Sequence, residues 1–361
     1  MKNFNEIQSP VGELLVETLR GLAAAAETEG RLTSKQLELI YVHRWLKLFV
    51  PEELGGLALS VPEGVRLEEE LARIDGSLGW TVTLCAGANL FVGYIEPAIA
   101  KLVFTDPKVC LGGSGKPSGT AVAKDGGYEI TGKWHYATGA PHNTHFTANC
   151  VVEQDGRPVL NSEGEPLIKS FFFDAADVRI LPVWNAFGLR ATASHSFEVN
   201  KLWVAPNRSF VISPENATIA PPLYQYPFLP FAQTTLAANT LGMARHFLEC
   251  CNDIASSKRD DPAGVALSEL TDIGHQRLME VRQTFYETLD RSWEALIQHG
   301  QISENILHAI AKTSRSLVEI SHQTVISLYP HCGIVAADAS STINRIWRDI
   351  FTASQHSLFR R

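Results

Sequence analysis

The chain has 361 residues, 45% of them hydrophobic and 19% charged, enough for a sizeable core spread over two or three structural units. A net charge of −8 with no basic block argues against nucleic acid or an anionic membrane surface as partner. No apolar run reaches membrane-spanning length and residues 1–10 lack a signal peptide's apolar core, so a cytoplasmic protein is expected.

Up to about residue 107 the pattern is helical. Val11, Leu14, Leu15, Leu19, Leu22 and Ala26 recur at three- and four-residue spacing, which predicts an amphipathic helix. Thr33 with Gln36 has capping-box form and opens a second helix, read through Phe49. Pro51 and Gly55-Gly56 then break the chain, and further helices are predicted over 63–75, 81–93 and 97–104.

From 108 to 215 the period changes to that of strands. Segments 121–123, 128–130, 146–152, 168–173 and 197–204 are rich in β-branched and aromatic residues, with hairpin turns at Asp125-Gly126 and Asp155-Gly156. They predict a small antiparallel β-domain. The proline-rich 213–230 stretch reads as a connection. Beyond it, within a third region spanning 216–361, three long 3.6-periodic segments predict a helical bundle. The fold class is therefore α+β, in the order helices, strands, bundle.

The six cysteines, at 85, 110, 150, 250, 251 and 332, form no CxxC pair and no zinc-ligand spacing, as expected of a reduced protein. His135, His142 and His145 invite a metal reading, but no carboxylate cluster accompanies them and no metal is expected. Leu111-Gly-Gly113-Ser114-Gly115 through Gly119 fits neither a P-loop nor a dinucleotide fingerprint.

Several local motifs, in order, resemble those of flavoproteins with the acyl-CoA dehydrogenase fold. They are Pro51-Glu-Glu-Leu-Gly55-Gly56, Asp75-Gly-Ser77-Leu-Gly79-Trp80, Gly132-Lys-Trp134-His-Tyr136-Ala-Thr138-Gly139, Phe187-Gly188-Leu-Arg190, Leu241-Gly242-Met-Ala244, and the tail from Arg345 to His356. The details are most similar to the two-component, flavin-dependent monooxygenase branch. The flavin strand reads Trp134-x-Tyr136-x-Thr138, and the tail places His356 where dehydrogenases often carry a catalytic glutamate. The other position used for that glutamate falls near Ala232 and Gln233, again without a carboxylate.

The resemblance implies a monooxygenase that takes reduced flavin, FMN ahead of FAD, and oxygen through a C4a-hydroperoxide to an aromatic or other small apolar substrate. The absence of a dinucleotide fingerprint fits a separate flavin reductase as partner, and the family suggests a homotetramer. Two alternatives stay open: oxidation of an acyl-CoA thioester with FAD, and a non-catalytic relative of the fold.

Implied catalytic residues are His356, managing a proton, and Thr138, whose hydroxyl can bond the flavin near N5. Flavin contacts are expected from Trp134, Tyr136, Thr138, Thr192, Ser194, Arg259 and Arg345. Trp134 and Tyr136 also fit plain sheet packing, and Arg259 fits a solvated helix end. Arg345 and Arg348, three apart on one helical face, either bind phosphate or pair with Asp349 or Asp338. Ser114, Asn89 and Tyr224 are the candidate substrate contacts, drawn from the 111–119 loop, the 86–91 helix and the 222–231 connection.

Overall fold

A computed structural model of the chain describes residues 11–359. The expectation resting on residues 1–10, and the tail's Arg360 and Arg361, lie outside the described residues. Five helices come first: α1 (Glu13–Glu29), α2 (Ser34–Val42), α3 (Val61–Ile74), α4 (Gly76–Asn89) and α5 (Pro97–Phe104). The Thr33–Gln36 capping box is present. The helix it opens ends at Val42 rather than Phe49, because Arg44 takes a left-handed conformation (φ 57°) and the chain continues as a short 3-10 turn. Lys47 on that turn is buried, and its ammonium donates to the carbonyls of Leu54 and Phe104.

Asp75 separates α3 from α4, and its carboxylate caps α4 at the Leu78 amide (2.7 Å). Helix α4 therefore starts five residues before the sequence reading placed it. The reason is that nearly all of its faces are buried, so its first turn shows no amphipathic stripe.

Eight strands form one sheet: β1 (Leu111–Lys124), β2 (Gly127–Ala137), β3 (His145–Gln154), β4 (Arg157–Pro158), β5 (Ile168–Asp174), β6 (Arg179–Leu181), β7 (His195–Val204) and β8 (Ser209–Phe210). Their order is β6-β7-β2-β1-β3-β5-β8, with β4 on the side against β3. The sheet is mixed rather than wholly antiparallel. After the β1–β2 hairpin, the chain turns at Gly139 and comes back on the far side of β1, so β3 runs parallel to β1. The interior of the sheet is aromatic, built on Trp134, Phe146, Phe171, Phe173 and Phe197.

Three long helices then pack together: α6 (Phe228–Ser257), α7 (Pro262–His299) and α8 (Glu304–Leu328). A short α9 (Ile334–Ala337) and α10 (Thr342–Ala353) close the described chain. Helix α3 is clasped from two sides by glycines. A Cβ on Gly79 of α4 would stand 2.4 Å from the Ala72 Cα, and one on Gly242 of α6 would stand 2.1 Å from the Glu69 carbonyl oxygen. A charged network reinforces the clasp. Buried Glu69 accepts from Arg245, Arg282 and the Tyr286 hydroxyl, while Arg73 bridges Glu70 and Glu249. No described helix is long and apolar enough to cross a membrane.

Candidate functional site

The strand carrying Trp134, Tyr136 and Thr138 loses its register with β7 between Trp134 and Ala137. The irregularity sends successive side chains to different destinations. Trp134 points into the sheet's interior, stacked on Phe197 at 5.2 Å, with its indole N–H donating to the Asn149 carbonyl (3.0 Å). It has no face left for a flavin. Tyr136 goes the other way: its backbone is left-handed (φ 65°), an uncommon state for an aromatic residue, and its ring is 73% exposed against the edge of Trp184.

Thr138 is buried, and three hydroxyls line up behind it. Thr192 Oγ1 donates to the Leu189 carbonyl (2.8 Å), Ser194 Oγ lies 2.8 Å from Thr192 Oγ1, and Thr138 Oγ1 lies 3.0 Å from Ser194 Oγ. The single proton of Thr192 is committed to a carbonyl, so Ser194 must donate to Thr192 and Thr138 must donate to Ser194. Thr138 Oγ1 is left with lone pairs as its remaining hydrogen-bonding capacity. Here the structure brings together three of the sequence-predicted residues.

Helix α4 connects this cluster to the chain's tail. Cys85 Sγ sits 3.7 Å from the Thr138 carbonyl. Five residues earlier, about 7.5 Å along the helix axis, Trp80 meets the half-buried His356 ring edge-to-face at 6.0 Å. The His356 Nδ1 also accepts from the Leu358 amide (3.4 Å). On the Trp80 stripe of α4, Leu84 and Gly87 are only half-buried in an otherwise buried helix. A Cβ on Gly87 would touch the Phe231 ring at 3.6 Å, and Phe91, further along, packs on Phe228. By sequence, Gly87 and Phe231 are placed only within the 86–91 and 222–231 segments, and Trp80 and Leu84 are missed as site residues. The i, i+4, i+7 spacing of Trp80, Leu84 and Gly87 was available, but with α4 apolar on all sides nothing in the sequence picked out that stripe.

Other predicted residues lie elsewhere or are fully engaged. Arg345 is buried beside Asp75 (Nε to Oδ2, 4.0 Å), which makes it a structural ion pair rather than an open phosphate contact. Arg348 is spent on Glu27, Asn344 and the carbonyls of Phe187 and Ala339. Asn89 is wholly buried: its amide donates to the carbonyls of Leu46 and Val109 and accepts from the Leu111 amide, so it fixes the junction of α4 with β1 and has no group free for a substrate. Tyr224 is likewise buried, its hydroxyl donating to the Phe49 carbonyl (2.9 Å), and burial raises its pKa. Ser114 is half-buried on β1, where the pairing with β3 becomes irregular before Gly119. Arg259 is exposed in the short link between α6 and α7.

Two carboxylates approach each other at the start of α4. Asp349 Oδ1 accepts from the Leu189 amide (2.5 Å), tying α10 to the loop that carries Thr192 and Ser194. Burial and the neighbouring Asp75 push its pKa up to about 8, against the pull of the Leu189 amide and Arg345. Of the three histidines considered for metal, His135 bonds Ser196 and His145 pairs with Asp174. His142 instead faces Cys85 and Cys110.

Residues 234–361 match the protein family described as Acyl-CoA dehydrogenase, C-terminal domain. Over 96% of its length the chain is 22% identical to indole-3-acetate monooxygenase of Pseudomonas putida, covering 90% of that protein. It is 24% identical to the flavin-dependent monooxygenase oxygenase subunit HsaA of Mycobacterium tuberculosis, over 99% of this chain and 92% of that one. Among solved structures, XiaF from Streptomyces sp. in complex with FADH2 superposes with a TM-score of 0.84 at 22% identity, covering 96% of this chain and 91% of that one. The fold is that of the acyl-CoA dehydrogenases.

Proposed function

We propose that this chain is the oxygenase component of a two-component, flavin-dependent monooxygenase acting on a small aromatic substrate. It is a flavin-dependent oxidoreductase in a fold whose similar proteins are named as flavin-dependent monooxygenases. The observation that carries the reading is the direction of the Thr138–Ser194–Thr192 hydroxyl chain. Its last oxygen is an acceptor, and only the reduced form of a flavin presents an N–H at N5 to meet it. Oxidised flavin presents a lone pair there instead.

When bound, reduced flavin supplies the two electrons that let dioxygen give one oxygen atom to the substrate and release the other as water. Thr138, held by Ser194 and Thr192, fixes the ring edge. Arg259, exposed on its link, reaches a flavin phosphate across a subunit boundary, while Arg345 stays with Asp75. His356, set against Trp80, holds or passes the proton of the substrate hydroxyl or of the leaving water. The substrate lies on the α4 stripe of Leu84 and Gly87 against Phe231, a lining that is apolar and aromatic and keeps water out.

The assembly is a cytoplasmic homotetramer served by a separate flavin reductase. Exposed Ile273 and Ile297 on α7 and Ile326 on α8 support self-association through the bundle. The dehydrogenase alternative lacks a base, since His356, Ala232 and Gln233 stand where its carboxylate would be.

Anaerobic titration with reduced and oxidised FMN and FAD, followed by admission of oxygen with and without aromatic substrates, tests the reading. Preferential binding of reduced flavin and a hydroxylated product are expected. Preference for oxidised flavin, together with bleaching by an acyl-CoA, would replace it with the dehydrogenase.

A further inference from the structure

Behind the Thr138 turn, residues far apart in sequence converge on one buried point. Cys85 comes from α4, Cys110 from the residue before β1, and His142 from the short turn after β2. Their ligand atoms all lie within 4.8 Å of one another. Both cysteines are fully buried and carry no disulfide. His142 Nε2 is buried with no hydrogen-bond partner. A fourth donor faces the same point. Asn143 donates through Nδ2 to the Thr138 carbonyl (3.1 Å), which turns its Oδ1 toward Cys110 Sγ (3.1 Å) and Cys85 Sγ (3.9 Å).

The backbone is shaped for this meeting. Gly139 is left-handed (φ 73°), and a Cβ there would fall 2.7 Å from His142 Nε2 and 3.1 Å from Asn143 Oδ1. Any other residue at 139 would displace the imidazole. We propose that Cys85, Cys110 and His142, with Asn143 Oδ1 completing the set, form a structural zinc site that clamps α4, the start of β1 and the Thr138 turn together.

The donor set favours this ion. Two sulfurs and an imidazole suit a borderline-soft d10 cation rather than calcium or magnesium, which want oxygen ligands. Zinc holds sulfur at about 2.3 Å and nitrogen at about 2.0–2.1 Å, so its ligand atoms sit closer to one another than the 4.8 Å limit met here. Charge balance agrees as well. On binding, each thiol loses its proton to solvent and two thiolates neutralise the divalent cation, so no net charge is left in a buried place.

The test uses the full chain, reduced and freed of metal, and does not depend on flavin or on activity. Cobalt(II) serves as the spectroscopic probe and zinc as the competitor. One cobalt per chain is expected, with sulfur-to-cobalt charge-transfer bands, the strong visible bands of tetrahedral cobalt, displacement by zinc, and two protons released per ion. Cys85→Ser and His142→Ala should each weaken binding by more than about tenfold, the least that even outer-shell changes cost, while Cys150→Ser should not. Should those variants fail to fold, alkylation of the unsubstituted chain in partial denaturant still decides. Zinc must protect Cys85 and Cys110 and leave Cys150 reactive. No cobalt uptake by the folded chain, or equal alkylation with and without zinc, overturns the proposal.

Discussion

Thr138 Oγ1 and Ser194 Oγ are 3.0 Å apart, and the proton between them belongs to Thr138, because the next hydroxyl along, Thr192, has given its own to the Leu189 carbonyl. A buried side chain has thereby been assigned a hydrogen-bonding sense by a carbonyl three residues upstream of Thr192, at the far end of the relay. Thr138→Val keeps the shape and removes the acceptor. Affinity for reduced flavin should fall roughly 2- to 13-fold, the equivalent of about 0.5–1.5 kcal/mol for one hydrogen bond, with oxidised flavin less affected. Thr138→Ser should restore most of the loss. Equal losses for both redox states would refute the assignment, and anaerobic titration reads the difference.

His356 stands against Trp80 on the stripe that also presents Leu84 and Gly87. Removing a positioned acid or base typically costs about 10²–10⁴-fold in the step it serves. His356→Ala should therefore lower product formed per oxygen consumed, and excess peroxide should appear, while reduced-flavin affinity changes little. Product yield equal to that of the unsubstituted chain would remove His356 from the chemistry.

The raised pKa of Asp349 makes a statement about stability. The folded chain keeps this proton up to about pH 8, whereas an unfolded aspartate releases it near 3.8. Its contribution is complete below the unfolded value and declines as pH rises toward 8, after which it is gone. The slope is at most about 1.4 kcal/mol per pH unit. Asp349→Asn can still accept from the Leu189 amide, so it should flatten the fall in Tm between the unfolded value of 3.8 and the folded value of about 8, the window in which the linkage acts. Thermal melts across that range that superimpose in slope for the two proteins would contradict this.

Gly242→Ala pushes a methyl group into the Glu69 carbonyl, where neither helix has a flexible side chain to yield. Overpacking of this kind costs about 1–3 kcal/mol. Gly87→Ala is the control, since its added methyl meets only the Phe231 ring at ordinary contact distance. Chemical denaturation should show a clear loss for the first and little for the second.

Trp134→Phe separates packing from cofactor contact. The indole N–H to the Asn149 carbonyl is lost, for about 1 kcal/mol of stability, and flavin affinity should not move. A change in flavin affinity at unchanged stability would return Trp134 to the flavin.

Much of this architecture could be read from residue order. Periodicity located the helices, and turn residues located the hairpins, because both signals are local. The parallel β1–β3 pairing could not be read, since it depends on where the chain goes after Gly139 rather than on any strand's own pattern. The start of α4 was hidden for a related reason: a helix buried nearly all round has no polar face to mark its phase. Thr138, Thr192 and Ser194 were legible by motif, but the proton order that joins them is a three-dimensional fact. Trp134 and Tyr136, two apart on one strand, should share a face, yet the irregular register between β2 and β7 sends one into the core and the other to solvent. Cys85, Cys110 and His142 are separated by 25 and 32 positions, so no spacing rule could have grouped them.

Helix α4 is pinned by polar groups at both ends, Asp75 at its start and Asn89 at its finish, and is almost wholly enclosed between them. Its partly open positions, Leu84 and Gly87, are therefore the ones where a side chain can change size without disturbing the clasp on α3 or the Thr138 turn. With the substrate placed as proposed, its range is thereby uncoupled from foldability. A descendant of this chain could acquire a new ring system through one or two substitutions there, keeping its oxygen chemistry and its stability while the shape it accepts drifts.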